Sequence, residues 1–189
     1  MIGEEQYKNK IRNGAEALAS GPAIGYAKRM LSALIFDADE PVALADTLAT
    51  LVPGAIEGVL REVVVVDGRH PEVRRVADHA GCRLEDLSML ADIAASFKGD
   101  WVLVVRCGDR LGADWVELAA RHAAGSERTE AGRLDTSVRG GRDWTQVWRP
   151  RPRALIVPKA HLARRLAAKA PPGDWARGLR VRRLRETVR

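Results

Sequence analysis

The sequence predicts an α/β fold in which a mostly parallel sheet carries helices on both faces. Short apolar runs alternate with amphipathic segments from Leu31 to Ala123, and parallel strands need crossover connections of that kind. The apolar runs VVVV and WVLVV are unbroken, and LSALIF is interrupted only by Ser32, as expected for strands buried on both faces of a sheet. At 189 residues and 46% hydrophobic content, the chain can bury one good core, so we expect one domain.

The first strand-and-helix unit is predicted to begin at Leu31. Leu31–Phe36 is the strand, and the acidic segment 37–40 that follows it precedes Pro41. Acidic capping residues with a proline in the first turn are typical of a helix start. An apolar face at i, i+4, i+7 and i+8 begins at Leu44, and Pro53-Gly54 is expected to end this helix.

The second unit repeats this order. Val63–Val66 is a β-branched strand, and a turn leads to a helix whose apolar positions extend from Val73 to Ala80. Gly81 is expected to stop this helix, and Cys82–Leu84 is a candidate for a short third strand.

The third and fourth units surround the segment RCGD at positions 106–109. A helix is expected from Leu87 to Phe97 and a strand over Trp101–Val105, and a fourth helical face extends from Trp115 to His122. The segment RCGD therefore emerges at the carboxyl end of a strand, which is the edge where open α/β sheets bind ligands.

The remaining residues have weaker patterns. Residues 1–29 are predicted to form an N-terminal arm, and its lack of strong periodicity leaves open whether it is flexible or whether Met30 is the true start. Residues 30–124 form the α/β half, and residues 125–189 form a short C-terminal part of the same domain. Within that part, the polar segment 125–132 is expected to be a loop, 140–141 a turn, Ala154–Val157 a strand and His161–Lys169 a helix.

The positive charge is concentrated in the tail. The tail from Arg149 to Arg189 contains 11 Arg and 2 Lys against Asp174 and Glu186, so its net charge is +11. The whole chain has a net charge of +6, and the residues before the tail therefore carry −5. Such a tail is either a solvated arginine-rich surface or a site for phosphates or anionic lipid. Nucleic acid is disfavoured as a partner, since no reading module or interleaved aromatic residues accompany the arginines.

Compartment and metal content are predicted from the cysteines and the apolar runs. Cys82 and Cys107 have neither zinc-ligand spacing nor the density of a disulfide scaffold, which favours a reducing cytosol. No apolar run approaches the roughly 20 residues that cross a bilayer, and the N-terminus lacks the layout of a secretory signal. We therefore expect a cytoplasmic protein.

Leu31 to Ala123 resembles the nucleotide-binding half of the inverting glycosyltransferase family 2, which has a GT-A, Rossmann-like fold. The resemblance is carried by the pairing of VVVVDG with GDWVLVVRCGDRLGADW and by the helices between them. The tail from Ala154 is loosely similar to the end of small alphaproteobacterial members. The resemblance implies a transferase in which residues 30–124 bind a nucleotide-sugar donor and whose acceptor is a glycan or a lipid-linked molecule.

The resemblance also implies roles for three carboxylates. Asp37 and Asp39 after the first strand, and Asp67 after the second, match the acidic positions that hold the nucleobase and ribose in the family. A carboxylate suits this role because it accepts charge-assisted hydrogen bonds from ribose hydroxyls or a base imide. Two alternatives stay open: Asp67 forms a turn with Gly68, and Asp37 and Asp39 cap the following helix.

The family's metal motif is degenerate in this chain. Asp-x-Asp holds a divalent cation on the diphosphate in family members, whereas this chain has Arg106 and Gly108 at those positions and only Asp109 after them. A hard cation needs several oxygen ligands, so we expect no bound Mg²⁺ or Mn²⁺. Arg106 would instead give the leaving diphosphate its positive charge through a bidentate contact, with Asp109 beside it. The alternative is a decayed site with Arg106 in solvent.

Asp174 is the candidate catalytic base, because it is the acid in the C-terminal stretch where the family brings a base to the acceptor hydroxyl. The alternative is that Asp174 is a solvated turn residue.

Two hypotheses about the function follow. The chain is a glycosyltransferase, peripheral at the inner face of the membrane if its acceptor is lipid-linked, or it is an inactive GT-A-like binding or scaffold module at an anionic surface.

Overall fold

The computed structural model describes residues 30–66, 68–138 and 154–185. Strands and helices alternate from Leu31 to Arg106, as predicted. In chain order, the elements are β1 (Leu31–Phe36), α1 (Pro41–Ile56), β2 (Leu60–Val66), α2 (Pro71–His79), β3 (Arg83–Glu85), a 3-10 turn (Leu87–Met89), α3 (Leu90–Ser96), β4 (Trp101–Arg106), β5 (Asp109–Leu111), α4 (Trp115–Gly125), β6 (Glu130–Arg133), β7 (Thr136–Val138), β8 (Leu155–Pro158), α5 (Lys159–Ala167), a 3-10 turn (Pro172–Asp174) and β9 (Arg180–Arg183).

The described residues form a seven-stranded sheet in the order β3-β2-β1-β4-β8-β6-β9. The four strands from β3 to β4 are parallel, β8 is antiparallel to both β4 and β6, and β9 is parallel to β6. Strands β5 and β7 form a separate antiparallel ribbon. The prediction of a mostly parallel α/β sheet is confirmed.

Helices cover both faces of the sheet, also as predicted. Leu31, Ala33 and Ile35 of β1 belong to one apolar cluster, which contains buried residues of α1, α2 and α4. Leu34 and Phe36 belong to a second cluster, with buried residues of α3 and α5. This alternation follows from the two-residue period of a strand, and it explains why the central strands are apolar at nearly every position.

Helix α1 does not end at Pro53-Gly54, and that prediction is wrong. The helix continues to Ile56, because Pro53 lies in its last turn, where the missing amide removes one hydrogen bond. Gly54 packs directly on Trp115, since a Cβ placed there would lie 2.4 Å from Cη2 of the indole. The indole Nε1 also donates to the Thr50 carbonyl at 2.8 Å. Packing against α4 therefore keeps this turn helical.

Gly54→Ala is expected to destabilise the fold by about 1–3 kcal/mol, because the added methyl overlaps a buried ring. Gly125→Ala is the matched control: it also lies in a helix, and its added Cβ has no neighbour within 4 Å. Urea denaturation of both variants checks this, and equal stabilities would contradict the described contact between α1 and α4.

The expected loop at 125–132 is also wrong in part. Residues Glu130–Arg133 are strand β6, which pairs with both β8 and β9. Strand β9 lies within the basic tail, at residues Arg180–Arg183 for which no strand was predicted. Both strands are polar and short, so their formation depends on hydrogen bonds to neighbouring strands rather than on their own sequence pattern.

Several other boundaries differ slightly from the predictions. Strand β2 begins at Leu60, β3 extends from Arg83 to Glu85, and α5 begins at Lys159. The expected third helix is divided into a 3-10 turn and α3. The predicted arm at 1–29 and the predicted turn at 140–141 lie outside the described residues. Within the described ranges, no helix has both the length and the apolar character needed to cross a membrane.

Candidate functional site

An exposed ion pair marks the carboxyl edge of the sheet between β1 and β4. Phe36 lies opposite Arg106 in the register of these parallel strands, so Asp37 directly follows beside the arginine. Arg106 Nε is 3.1 Å from Asp37 Oδ2, and the two side chains are 34% and 51% exposed. Asp37 has φ +56°, the left-handed conformation that Asp adopts more readily than most residues.

The turn after β4 is held in place by hydrogen bonds to α1 and β1. Thr47 Oγ1, which is fully buried, accepts a hydrogen bond from Gly108 N at 2.9 Å and donates one to the Asp109 carbonyl at 3.0 Å. Cys107 N donates to the Phe36 carbonyl at 2.9 Å. These contacts fix the backbone that carries Arg106. Thr47 was not predicted as a site residue, because its only signal in the sequence is a hydroxyl within the largely apolar α1.

Cys107 and Asp109 are less accessible than their place in the turn suggests. Asp109 is only 5% exposed and lies in β5, which pairs with β7. Burial, followed by the nearby Glu40 carboxylate, raises the pKa of the Cys107 thiol to about 11, so it is a neutral thiol near pH 7. Arg106 is therefore the residue of the RCGD segment that is most clearly presented with Asp37 at the edge.

Glu40 is the N-cap of α1. Its carboxylate accepts hydrogen bonds from Val42 N at 3.0 Å and Ala43 N at 2.5 Å. The capping alternative for Asp37 and Asp39 therefore does not hold, because Glu40 performs that role. Asp39 is exposed, and its amide donates to the Asp37 carbonyl at 3.1 Å. Both aspartates remain candidates for contact with a ligand.

Asp67 lies outside the described residues. It follows Val66, the last residue of β2, and β2 is paired in parallel with β1. Its proposed contact with the nucleoside remains a prediction from the sequence.

The turn that contains Asp174 packs beside the end of β1. Trp175 is 2% exposed, and its ring meets Phe36 edge to face at a centroid distance of 5.2 Å. Asp174 and Asp37 are each one residue away from this contact along the chain. The Asp174 carboxylate lies 3.8 Å from Arg165 and 3.6 Å from Arg177. The contact between Trp175 and Phe36 thus places the turn that contains Asp174 near the carboxyl end of β1.

The turn after β4, over Arg106–Asp109, presents no accessible carboxylate to a divalent cation. The positions after β4 hold a guanidinium and a buried Asp109, whereas Mg²⁺ or Mn²⁺ would need accessible oxygen ligands. In the described ranges, no three His, Cys, Asp or Glu side chains come together as a metal-ligand group. We derive no step of the proposed reaction through a metal.

Comparison with known proteins reveals similarity of structure only. No protein-family model matches the chain, and no curated protein matches its sequence. It is similar to glucosyl-3-phosphoglycerate synthase from Mycobacterium tuberculosis in complex with phosphoglyceric acid, with a TM-score of 0.55, 14% identity, and coverage of 84% of this chain and 71% of the synthase.

Two further solved structures show the same similarity. The synthase in complex with Mn²⁺ and UDP-glucose has a TM-score of 0.56 at 13% identity, with coverage of 85% of this chain and 71% of that one. A mycobacterial protein has a TM-score of 0.58 at 15% identity, with coverage of 85% and 66%. At these identities the similarity establishes the fold: the chain has the GT-A-like α/β architecture that its sequence predicted.

Proposed function

We propose that this chain is a glycosyltransferase that binds a nucleotide-sugar donor at the carboxyl edge of β1 and β4. The observation that carries the proposal is the Asp37–Arg106 pair, which places a carboxylate and a guanidinium side by side at that edge. Open α/β sheets bind ligands at this edge. The similarity to a synthase solved with UDP-glucose supports a nucleotide-sugar as the class of donor.

The donor requires two kinds of contact. Asp37, Asp39 and Asp67 accept hydrogen bonds from the ribose hydroxyls or the base imide of the nucleoside. Arg106 binds the diphosphate through its terminal guanidinium nitrogens, because its Nε already contacts Asp37. A fixed cation at this place stabilises the negative charge that grows on the leaving diphosphate. Transfer without a bound metal is thus part of the proposal.

Asp174 is the proposed base for the acceptor, which is a glycan or a lipid-linked molecule. The acceptor oxygen forms a bond to the anomeric carbon of the donor sugar, and the bond from that carbon to the diphosphate oxygen breaks. The hydroxyl proton passes to the Asp174 carboxylate, which Arg165 and Arg177 hold in place. Asp109 is too buried to contact the donor in this arrangement, and we propose that it supports the turn that carries Arg106.

A binding module without transferase activity is the second candidate. It is favoured by the same RCGD segment, which lacks the aspartates that hold a cation in the resembled family, and by the burial of Asp109. In this case the chain binds the nucleotide and leaves the donor intact. Incubation with UDP-sugars separates the two candidates, because only the transferase releases UDP.

Calorimetric titration with nucleoside diphosphates, with and without Mn²⁺, tests donor binding. We expect UDP or a related diphosphate to bind, and Asp67→Asn to weaken it by about tenfold or more, since a hydrogen bond to a charged group contributes roughly 1.5–3 kcal/mol. Asp78→Asn is the matched control, because Asp78 is exposed near the end of α2. No binding to any diphosphate, or equal affinities of both variants, would contradict this site.

A further inference from the structure

The basic tail forms one wall of a groove far from the Asp37–Arg106 pair. The groove has a volume of about 410 Å³ and lies between the carboxyl end of α4 and strand β9. Its lining in the described part of the chain includes four arginines and no carboxylate: Arg121, Arg182, Arg183 and Arg185. Strand β9 is three strands away from β4 in the sheet. The groove is therefore separate from the proposed donor site.

The wall of the groove is anchored by packing around Gly132. A Cβ at this position would lie 2.8 Å from Leu184 Cδ1 and 3.0 Å from His122 Cδ2, so only a glycine leaves room for both side chains. Leu184 N also donates to the Arg133 carbonyl at 2.9 Å. Arg182 lines the groove together with Leu184 and with His122 of α4.

The arginines of the groove are only partly neutralised. Arg121 pairs with Glu117 along α4, and Arg183 Nε donates to both Asp135 oxygens at 3.1 and 3.0 Å. Among the described residues, Arg182 and Arg185 have no carboxylate partner. The carboxyl end of α4 adds a partial negative charge of about one half, which is smaller than the excess of the two remaining guanidinium groups.

A buried histidine forms part of the lining. His122 is 4% exposed, with Nδ1 2.7 Å from Ser126 Oγ, and its Nε2 has no hydrogen-bond partner in the described part of the chain. Burial lowers the pKa of this imidazole, and Arg182 adds to that effect while the nearby Glu130 carboxylate opposes it, so the neutral ring is favoured. The positive charge of the groove therefore comes from the arginines, and an unsatisfied buried polar atom adjoins it.

We propose that the groove between α4 and β9 binds a phosphate group, carried either by a soluble phosphate ester or by an anionic lipid headgroup. The planar guanidinium of arginine matches phosphate oxygens in a bidentate geometry, which a solvated lysine-rich surface would not offer. The volume of the groove also falls within the range of small-molecule sites, about 300–1,000 Å³, so it accommodates more than the phosphate itself. This second site goes beyond the proposed transferase activity.

Titration with inorganic pyrophosphate at low salt tests the soluble source. The double variant Arg182→Ser/Arg185→Ser is expected to weaken binding by tenfold or more. The control Arg128→Ser/Arg164→Ser makes the same change in charge at exposed positions outside the groove, and it should alter the affinity less than twofold. Both pairs are also compared in an Arg106→Ala background, which removes binding of pyrophosphate at the donor site.

Sedimentation with phosphatidylglycerol and phosphatidylcholine vesicles tests the lipid source with the same variants. Loss of binding in the groove variant but not in the control, with either probe, supports the proposal, and the probe that shows it identifies the source. Absence of binding to both probes, or equal losses in the two double variants, would overturn it. UDP affinity of the wild-type chain is measured separately, so failure of the donor site does not affect this result.

Discussion

Arg106→Ala is expected to weaken UDP binding by about tenfold to a hundredfold, while uridine binding changes less than about twofold. The reason is that Arg106 is proposed to contact the diphosphate, and a hydrogen bond to a charged group contributes roughly 1.5–3 kcal/mol. Since Arg106 is proposed to supply the positive charge at this place without a metal ion, Mn²⁺ should change the wild-type affinity little. Calorimetric titration of UDP and uridine into both proteins measures these differences.

Arg110→Ala is the matched control for this prediction. Arg110 is an exposed arginine in β5, four residues from Arg106, and its removal changes the net charge equally. UDP affinity should be close to that of the wild type. Equal losses for uridine and UDP in Arg106→Ala, or a strong requirement for Mn²⁺, would show that Arg106 does not act as the cation of the site.

Trp175→Ala is expected to reduce the free energy of unfolding by about 3–5 kcal/mol, the usual cost of removing a buried aromatic ring. Trp175 packs edge to face on Phe36, and its indole Nε1 donates to the Ala170 carbonyl at 2.9 Å. The substitution would leave a cavity beneath the turn that carries Asp174. Urea denaturation measures the change in stability.

Trp175→Phe separates the two contributions of this side chain. It keeps an aromatic ring against Phe36 but loses the indole N–H, so we expect a smaller loss of about 1–2 kcal/mol. A loss below about 1 kcal/mol for Trp175→Ala would contradict the described packing of the tail against the end of β1.

The parallel core was predictable because each of its main strands can be recognised from the apolar residues of that strand alone. Leu31–Phe36 is apolar throughout apart from Ser32, and the structure places the strand at those residues. Pro41 marks the first turn of a helix that begins there, because proline suits a position whose amide would have no intrahelical partner. These features depend on neighbours within a few residues along the chain.

Strands β6 and β9 were not predictable in the same way. Glu130–Arg133 and Arg180–Arg183 contain mostly polar residues, and each becomes a strand by pairing with a partner about 50 residues away. Helix α1 likewise passes Pro53 because Trp115, distant in sequence, packs on Gly54. Such contacts have no local pattern, so propensity alone indicates a loop or a helix end.

The same division holds for the candidate site. The sequence by itself determined which residue types stand at the strand ends, with Asp37 after β1 and Arg106 at the end of β4. Only the tertiary structure decided that these two side chains pair, that Asp109 is covered and that Thr47 holds the turn. Pairing and burial depend on which distant segments pack together, and that is set by the whole core rather than by any one stretch of the chain.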